Sequence, residues 1–366
     1  MIRVFTTGRH AHRSPLRYPA LADLFRGEIE RVERPEQADL HVFAHSVDIA
    51  EAPHAVVADW RRRRRPVVLL SEEPFWDTIW TRRPLERHLC LNTGFGALPV
   101  VQLSHATSAI FRFRELPYYL LTNNRFANAY RWRFARNARR GAGYWRAHFA
   151  EHEAGLTFMF ERRPGAQHDV AWPEGDIVGL CAWRTRLAES CTGETVQRLG
   201  RSWQGGASRF ELADWHFDKL MRLDGATGTL AAIENTHQPD YLTEKLFDAF
   251  ACGARPLGYA GPAHGVHRLG LPGASWLNLH GLTPAEAAAR LRGPFADAAF
   301  IAAFHAAQMQ LAALFADAGA WVRERRRLKA ELLDEFAALL ESPRDIVPDD
   351  RPPEPSPEPA RGAPLL

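Results

Sequence analysis

Thr229-Leu230-Ala231-Ala232-Ile233 runs into Glu234-Asn235-Thr236-His237-Gln238-Pro239-Asp240-Tyr241-Leu242-Thr243-Glu244-Lys245-Leu246 and then Phe247-Asp248-Ala249-Phe250, and this stretch concentrates polar chemistry at one junction. Thr229 to Ile233 reads as a short buried strand. Leu242, Leu246, Ala249 and Phe250 recur at helical spacing, which predicts a helix with Tyr241, Glu244, Lys245 and Asp248 on its opposite face. Asp240 is the predicted N-cap and Gly253 the predicted stop. Pro256 to Tyr259 reads as the next strand. Strand, polar loop, helix and strand form the unit in which an open α/β sheet holds a phosphorylated ligand, because a strand's carboxyl end and a helix N-terminus converge there. The junction therefore reads as a nucleotide site.

Lys245 sharpens that reading. The chain carries its positive charge almost entirely on arginine, and Lys219, Lys245 and Lys329 are its only lysines. An ammonium in the first turn of a helix works against the helix dipole, which favours anions at that end. A bound diphosphate would give it a reason to be there.

The same segment resembles the α-1,3-fucosyltransferases of glycosyltransferase family 10, whose donor-site signature runs Glu-Asn-Ser, a few residues, Asp-Tyr, an aliphatic residue, Thr-Glu-Lys-Leu. It stands here as Glu234-Asn235-Thr236 and Asp240-Tyr241-Leu242-Thr243-Glu244-Lys245-Leu246, followed by Gly253-Ala254-Arg255-Pro256 and Gly261-Pro262. Thr236 replaces the usual Ser and keeps a hydroxyl. The resemblance implies a GT-B-like α/β architecture, two Rossmann-like lobes with an interlobe cleft and C-terminal helices. It also implies GDP-fucose as donor, bound in the C-terminal lobe, and fucose transfer with inversion at the anomeric carbon. Lys245 would contact the diphosphate, Glu244 the ribose, and Glu234, Asn235 and Tyr241 the sugar-nucleotide more generally. Upstream, Gly179-Leu180-Cys181-Ala182-Trp183-Arg184-Thr185-Arg186-Leu187 is similar to the family's strand and loop that carry a phosphate-binding arginine. Arg184 aligns best, with Arg186 as the fallback, and Cys181-Ala182 stands where the family has Ser-Asn. A guanidinium forks onto phosphate oxygens in a way an ammonium does not.

In the N-terminal half, Pro66-Val67-Val68-Leu69-Leu70 is a buried-strand run ending at Ser71-Glu72-Glu73-Pro74, and carboxylates at a strand's carboxyl end are placed to serve an active site. The family's general base lies at such a position. Glu72 is the closer match and Glu73 the alternative, and the chemistry wants one carboxylate to take the proton of the acceptor hydroxyl. Phe113-Arg114-Glu115-Leu116-Pro117-Tyr118-Tyr119-Leu120 resembles the family's aromatic approach to the interlobe segment.

Working outward, Ile2 to Thr6, Leu40 to Ala44, Ala55 to Ala58, Val67 to Leu70 and Leu89 to Leu91 are short apolar runs separated by turn and helix material, with Leu16 to Phe25 the first expected helix. Ile177 to Cys181, Thr229 to Ile233, Pro256 to Tyr259 and Ser275 to Leu279 form a second set of strands. Thr283-Pro284-Ala285-Glu286 is a capping box with proline at the first helical position, and the chain from there to Leu340 reads as alanine-rich helix. The expected division is an acceptor-side lobe with the interlobe segment over 1–160, a donor lobe with terminal helices over 175–341, and a proline-rich disordered tail over 342–366.

The chain has 366 residues, 46% of them hydrophobic, which suffices for two packed cores. Cys90, Cys181, Cys191 and Cys252 are scattered singly and suit neither a disulfide framework nor a zinc site. No run approaches the roughly 18 apolar residues of a membrane span, and Arg9, His10, His12 and Arg13 interrupt any signal-peptide core. Cytoplasmic residence of a bacterial type of enzyme is the expectation. The basic start of Val322 to Leu340 suggests peripheral contact with the inner face of an anionic membrane. Arg61 to Arg65, and the aromatics interleaved with arginine from Tyr130 to Trp145, raise nucleic-acid binding, but a formal net charge of only +3 argues against it. No Asp-x-Asp pair suits a diphosphate-bound metal, so Arg184 and Lys245, aided by amides at Asp240 to Leu242, are expected to offset the leaving-group charge without one. A divalent ion that bound the GDP product would stimulate turnover. His264 and His267 are suggestively spaced, but no pairing of the histidines makes a site. The expected partners are a nucleotide-sugar donor and a glycan acceptor, of the surface-polysaccharide or lipopolysaccharide type with an α-1,3/4 linkage. The rivals are a GT-B transferase with another GDP-sugar, such as GDP-mannose, and a non-catalytic sugar- or lipid-binding relative.

Overall fold

The computed structural model describes residues 1–73, 83–205 and 211–341. The chain divides into two units, one made of Met1–Arg112 with Arg323–Leu366 and the other of Phe113–Val322. The first boundary therefore falls at Arg112 rather than near 160, so the helices Asn124–Ala138 and Ala142–His152 belong to the second unit. The proline-rich tail lies outside the described residues.

Among its described residues the first unit carries six strands: β1 (Ile2–Thr7), β2 (Ile29–Arg31), β3 (Leu40–Phe43), β4 (Val67–Leu70), β5 (His88–Thr93) and β6 (Gly96–Leu103). They lie in the order β2-β1-β3-β4-β6-β5, parallel throughout except for the β5–β6 hairpin. β3 and β4 are buried along their whole length, β4 as an unbroken apolar run covered on both faces should be, and β3 with its His41 bonded to Asp59 (3.0 Å). Two expectations are corrected. Ala55 to Ala58 is part of the helix His54–Arg63, whose Val56 and Val57 pack inward. Leu16 to Phe25 forms successive tight turns, with Leu21 N bonded to Tyr18 O and Leu24 N to Leu21 O. Pro19 removes a backbone donor in the middle of that run and prevents a continuous helix.

The second unit holds a five-stranded parallel sheet built from β7 (Leu156–Met159), β10 (Val196–Leu199), β11 (Thr229–Ala231), β13 (Arg255–Gly258) and β14 (Leu277–Asn278). Its order is β10-β7-β11-β13-β14. A small antiparallel sheet, β8 (Ala171–Trp172), β9 (Ile177–Gly179) and β12 (Thr236–His237), lies beside it in the order β12-β9-β8. The expected strand at Ile177 thus exists, but pairs outside the main sheet. Phe158, Leu180, Leu187, Ile233, Leu257 and Leu279 are central to this unit's core. The capping box forms as read: Thr283 and Glu286 satisfy each other's backbone at the start of Pro284–Arg290.

The two-lobed α/β construction, parallel sheets followed by C-terminal helices, is therefore present. Among the described residues one helix, Ala298–Ala316, with mean hydropathy 1.5, is long and apolar enough to cross a membrane by length and composition, contrary to the sequence expectation. Its Phe300, Ile301, Phe304, Leu311 and Phe315 are buried, and Gln308 donates to Phe250 O (2.8 Å), as in the core helix of a folded unit. All four cysteines are buried.

Several basic features turn out to serve the fold. Arg63 grips Asp59 and the carbonyls of Pro35 and Ala38, and Arg64 covers the Trp60 ring at 4.3 Å. Tyr130, Phe134 and Trp145 are core residues rather than stacking platforms, and Arg136 pairs with Asp224 (2.6 Å). In Ala318–Glu341, Arg327 donates to the carbonyls of Ala109 and Ile110, and Lys329 pairs with Glu28 (2.7 Å).

Candidate functional site

β11 ends at Ala231 and the chain leaves the sheet through Ala232, Ile233 and Glu234, all buried. The helix that follows is Lys245–Ala251, and the predicted N-cap Asp240 does not cap it. Asp240 instead pairs with Arg268. The reason lies in Glu234, whose carboxylate accepts from Thr243 N (2.8 Å) and Thr243 Oγ1 (2.7 Å) and so holds Tyr241 to Thr243 as a non-helical strap ahead of the helix. The expected amide cradle at Asp240 to Leu242 therefore does not exist as a helix start. Gly253 does end the helix: with φ +77° it takes the left-handed conformation just beyond the last turn.

Lys245 also has the structural partner it lacked in the sequence. Its Nζ donates to Glu234 Oε2 (2.7 Å) and Thr243 Oγ1 (2.8 Å), with Glu244 Oε1 at 3.6 Å. An ammonium has three donors, and two are taken. The side chain is 19% exposed, so the third N–H has a path to an incoming anion. Glu244 is buried between Lys245 and Lys219. Burial raises its pKa, but the two lysines outweigh burial and hold it below the ordinary carboxylate value.

The predicted amphipathic helix is corrected as well. Leu246 to Ala251 are all buried, and Asp248, expected on a polar face, is 0% exposed. It accepts from Tyr130 OH (2.6 Å) and His216 Nε2 (2.7 Å) and pairs with Lys219 (2.7 Å). Burial raises the Asp248 pKa, but Lys219 and His216 bring it down to about 2.

Arg184 and Arg186 occupy one helix, Cys181–Ser190, with opposite environments. Arg186 is 44% exposed and paired with Asp169 (2.9 Å). Arg184 is 3% exposed; its Nη1 donates to Ile233 O (3.1 Å) and its guanidinium lies 4.5 Å over the Phe160 ring. No carboxylate among the described residues pairs with it, and its Nε is buried without a partner. A buried guanidinium without an acid calls for an anion. Burial, together with Arg163 and Arg184, lowers the nearby His168 pKa to about 4, so that ring is neutral at neutral pH. Arg184 and Lys245 thus hold successive residues, Ile233 and Glu234, at the carboxyl end of β11. Asn235 O accepts from Leu180 N (2.8 Å), and Tyr241 is buried with its carbonyl accepting from His264 Nε2 (3.2 Å). His264 and His267 hold loops: His267 Nε2 bonds Gly261 O (3.0 Å).

Glu72 and Glu73 belong to the first unit, just beyond β4, and both are buried. Tyr18 OH donates to Glu72 Oε1, and Arg13 binds Glu73 directly while its Nε lies 3.6 Å from Glu72. His105 Nε2 bonds the Glu72 carbonyl (3.1 Å). Tyr18 and Arg13 were not read from the sequence, and nothing in their spacing links them to residues some sixty positions away.

Solved structures of an α1,3-fucosyltransferase are similar to this chain at 14% identity, covering 95% of it and 92% of that chain, with a TM-score of 0.39. Structures of an α1,3-fucosyltransferase with GDP-fucose and with GDP are likewise 14% identical, with TM-scores of 0.34 and 0.31. Each covers 93% of this chain, and they are themselves covered over 90% and 89%. No family model matches the sequence, and no curated protein does.

The second unit thus places one buried guanidinium, one ammonium at the border of the core and a carboxylate that positions the ammonium around the end of β11, groups that can offset the charge of an anion. Sequence reading missed Glu234 as the organiser of the strap and Lys219 as the second counter-charge of Glu244. The first was visible only as a motif residue, and the second lies on another helix, Trp215–Leu223.

Proposed function

We propose that this protein is a glycosyltransferase that moves L-fucose from GDP-fucose to a hydroxyl of a glycan acceptor, with inversion. The observation that carries the reading is Arg184, a buried guanidinium with no acid among the described residues, whose Nη1 donates to the carbonyl of Ile233, the residue before the Glu234 that pairs with Lys245. The ordered signature from Glu234 to Leu246 supports it from the sequence side. Glu72 takes the proton of the acceptor hydroxyl as that oxygen attacks the anomeric carbon. The bond from that carbon to the diphosphate breaks on the opposite face, and GDP departs with its charge received by Arg184 and Lys245. Glu244, Asn235 and Tyr241 orient the nucleotide. No metal is required by this scheme, and the cytoplasm is the compartment that supplies such a donor.

The contacts named address the diphosphate and ribose rather than the sugar, so another GDP-sugar is the second reading. Thermal-shift titration with GDP, GDP-fucose, GDP-mannose and UDP-sugars separates the two, with GDP-fucose expected to stabilise most. Release of GDP from GDP-fucose across a glycan acceptor array then tests turnover. Glu72→Gln is expected to remove transfer and leave GDP binding intact. No stabilisation by any GDP compound would overturn the proposal, and loss of transfer in Glu73→Gln but not Glu72→Gln would move the base by one residue.

A further inference from the structure

Asp176, His237 and His280 come from three separate segments of the second unit: the turn after Pro173–Gly175, strand β12, and the loop after β14. Their side-chain donor atoms all lie within 4.8 Å of one another. His237 Nε2 is 3.0 Å from Asp176 Oδ2. A tetrahedral zinc ion with bonds of about 2.1 Å sets its ligand atoms roughly 3.4 Å apart, so only small side-chain adjustments separate this cluster from a ligand set.

The backbone is shaped around the same point. A methyl group placed on Gly261 would fall 2.8 Å from Asp176 Oδ2, 3.1 Å from His237 Nε2 and 3.3 Å from His280 Nε2, so the absence of a side chain at 261 leaves the three donors room to converge beside it. Asp176 adopts φ +50°, one of two described non-glycine residues in the left-handed region, a conformation that costs free energy and clusters at functional positions. Asn278 fixes the surroundings: its Oδ1 accepts from Ala260 N (3.0 Å) and His280 N (3.1 Å), while its Nδ2 donates to Ala260 O (2.8 Å). The His237 side chain is fully buried, the Asp176 side chain is 40% exposed and His280 is exposed, so one side of the cluster opens to solvent.

We propose that Asp176, His237 and His280 form a binding site for a divalent transition-metal ion of the zinc class, with a further coordination position open to water. Two imidazole nitrogens and one carboxylate oxygen are the donor set such ions select over magnesium or calcium. The ion ties β12 to the loops around Asp176 and His280, two residues along the chain from Asn235. This inference does not depend on the donor reading, and its test does not use transfer activity.

The full chain, stripped with chelator, is titrated with Co2+ by visible absorption and with Zn2+ by calorimetry. About one equivalent is expected, with Co2+ bands of low-symmetry nitrogen and oxygen ligation. His280→Ala, an exposed change that spares the fold, is expected to weaken binding at least about tenfold, by the scale of losses seen when ligand shells are disturbed. Gly261→Ala, whose methyl group crowds all three donors, is expected to abolish binding. Matching thermal midpoints in the stripped proteins show that both variants are folded. Absence of Zn2+ and Co2+ binding by the parent chain, or binding unchanged in both variants, overturns the site and leaves Asp176 and His237 as a hydrogen-bonded pin.

Discussion

Lys219 and Lys245 reach toward the same carboxylate, Glu244, from opposite circumstances. Lys219 is enclosed, pairs with Asp248 and sits in a network with His216 and Tyr130 that water does not reach. Lys245 stands at the border, bonded to Glu234 and Thr243 with a donor to spare. One ammonium is tied into the core and the other lies at its border, and the difference is made by exposure, 10% of the Lys219 side chain against 19% of Lys245, and not by charge. Burial would lower the Lys219 pKa, but Asp248 and Glu244 raise it above the usual lysine value, so its charge is permanent.

Substituting each side of this pair should separate the two roles. Asp248→Asn leaves Lys219 buried without its main counter-charge and is expected to cost about 3 to 5 kcal/mol of stability, measured by urea denaturation. A loss within experimental error would show that the enclosed network is not structural. Lys245→Ala is expected to lower transfer by about 10²- to 10³-fold, roughly 3 to 4 kcal/mol of transition-state stabilisation. It also strands Glu234, so the informative protein is Lys245→Ala combined with Glu234→Gln, which should recover stability and not transfer. Recovery of transfer by the double variant would make Lys245 another structural ammonium.

Acid pH reports on the enclosed side through Asp248. Asp248 has a folded-state value near 2, below its unfolded value near 4, so its contribution is complete above about pH 4 and is lost as pH falls through about 2. Over that window it accounts for about 2 kcal/mol, read as a falling denaturation midpoint that Asp248→Asn should flatten. The smallest effect is expected at Arg186→Ala, an exposed pair worth about 0 to 1 kcal/mol, with GDP affinity unchanged. Arg184→Lys, two positions earlier, should weaken GDP binding about tenfold or more, because the fork is lost. Equal effects at the two positions would remove the distinction between a paired arginine and one awaiting an anion.

How much of this was legible depended on the range of the interactions. β4, β11 and β13 are apolar runs read directly from sequence, as are the Gly253 stop and the Thr283 capping box, because each is decided by neighbours along the chain. The helix start was misread because Glu234 holds Thr243 from nine residues away and Arg268 holds Asp240 from 28 away. Periodicity carries no sign of either. The polar face assigned to Asp248 failed for the same reason: its partners Tyr130, His216 and Lys219 lie on other helices. Among the histidines, spacing drew attention to His264 and His267, which hold loops, whereas His237 meets Asp176 across 61 residues. Such clusters exist only after folding.

The discontinuous first unit sets an order on synthesis. Residues 113–322 form an uninterrupted unit, whereas 1–112 are completed by 323–341, whose Leu328, Leu332 and Phe336 are fully buried and whose Glu335 pairs with Arg87. On a ribosome the part of the chain made first would therefore be finished last, holding its unfilled apolar surface until the final helix emerges. Premature termination near residue 322 would spare the later-made unit and orphan the earlier one.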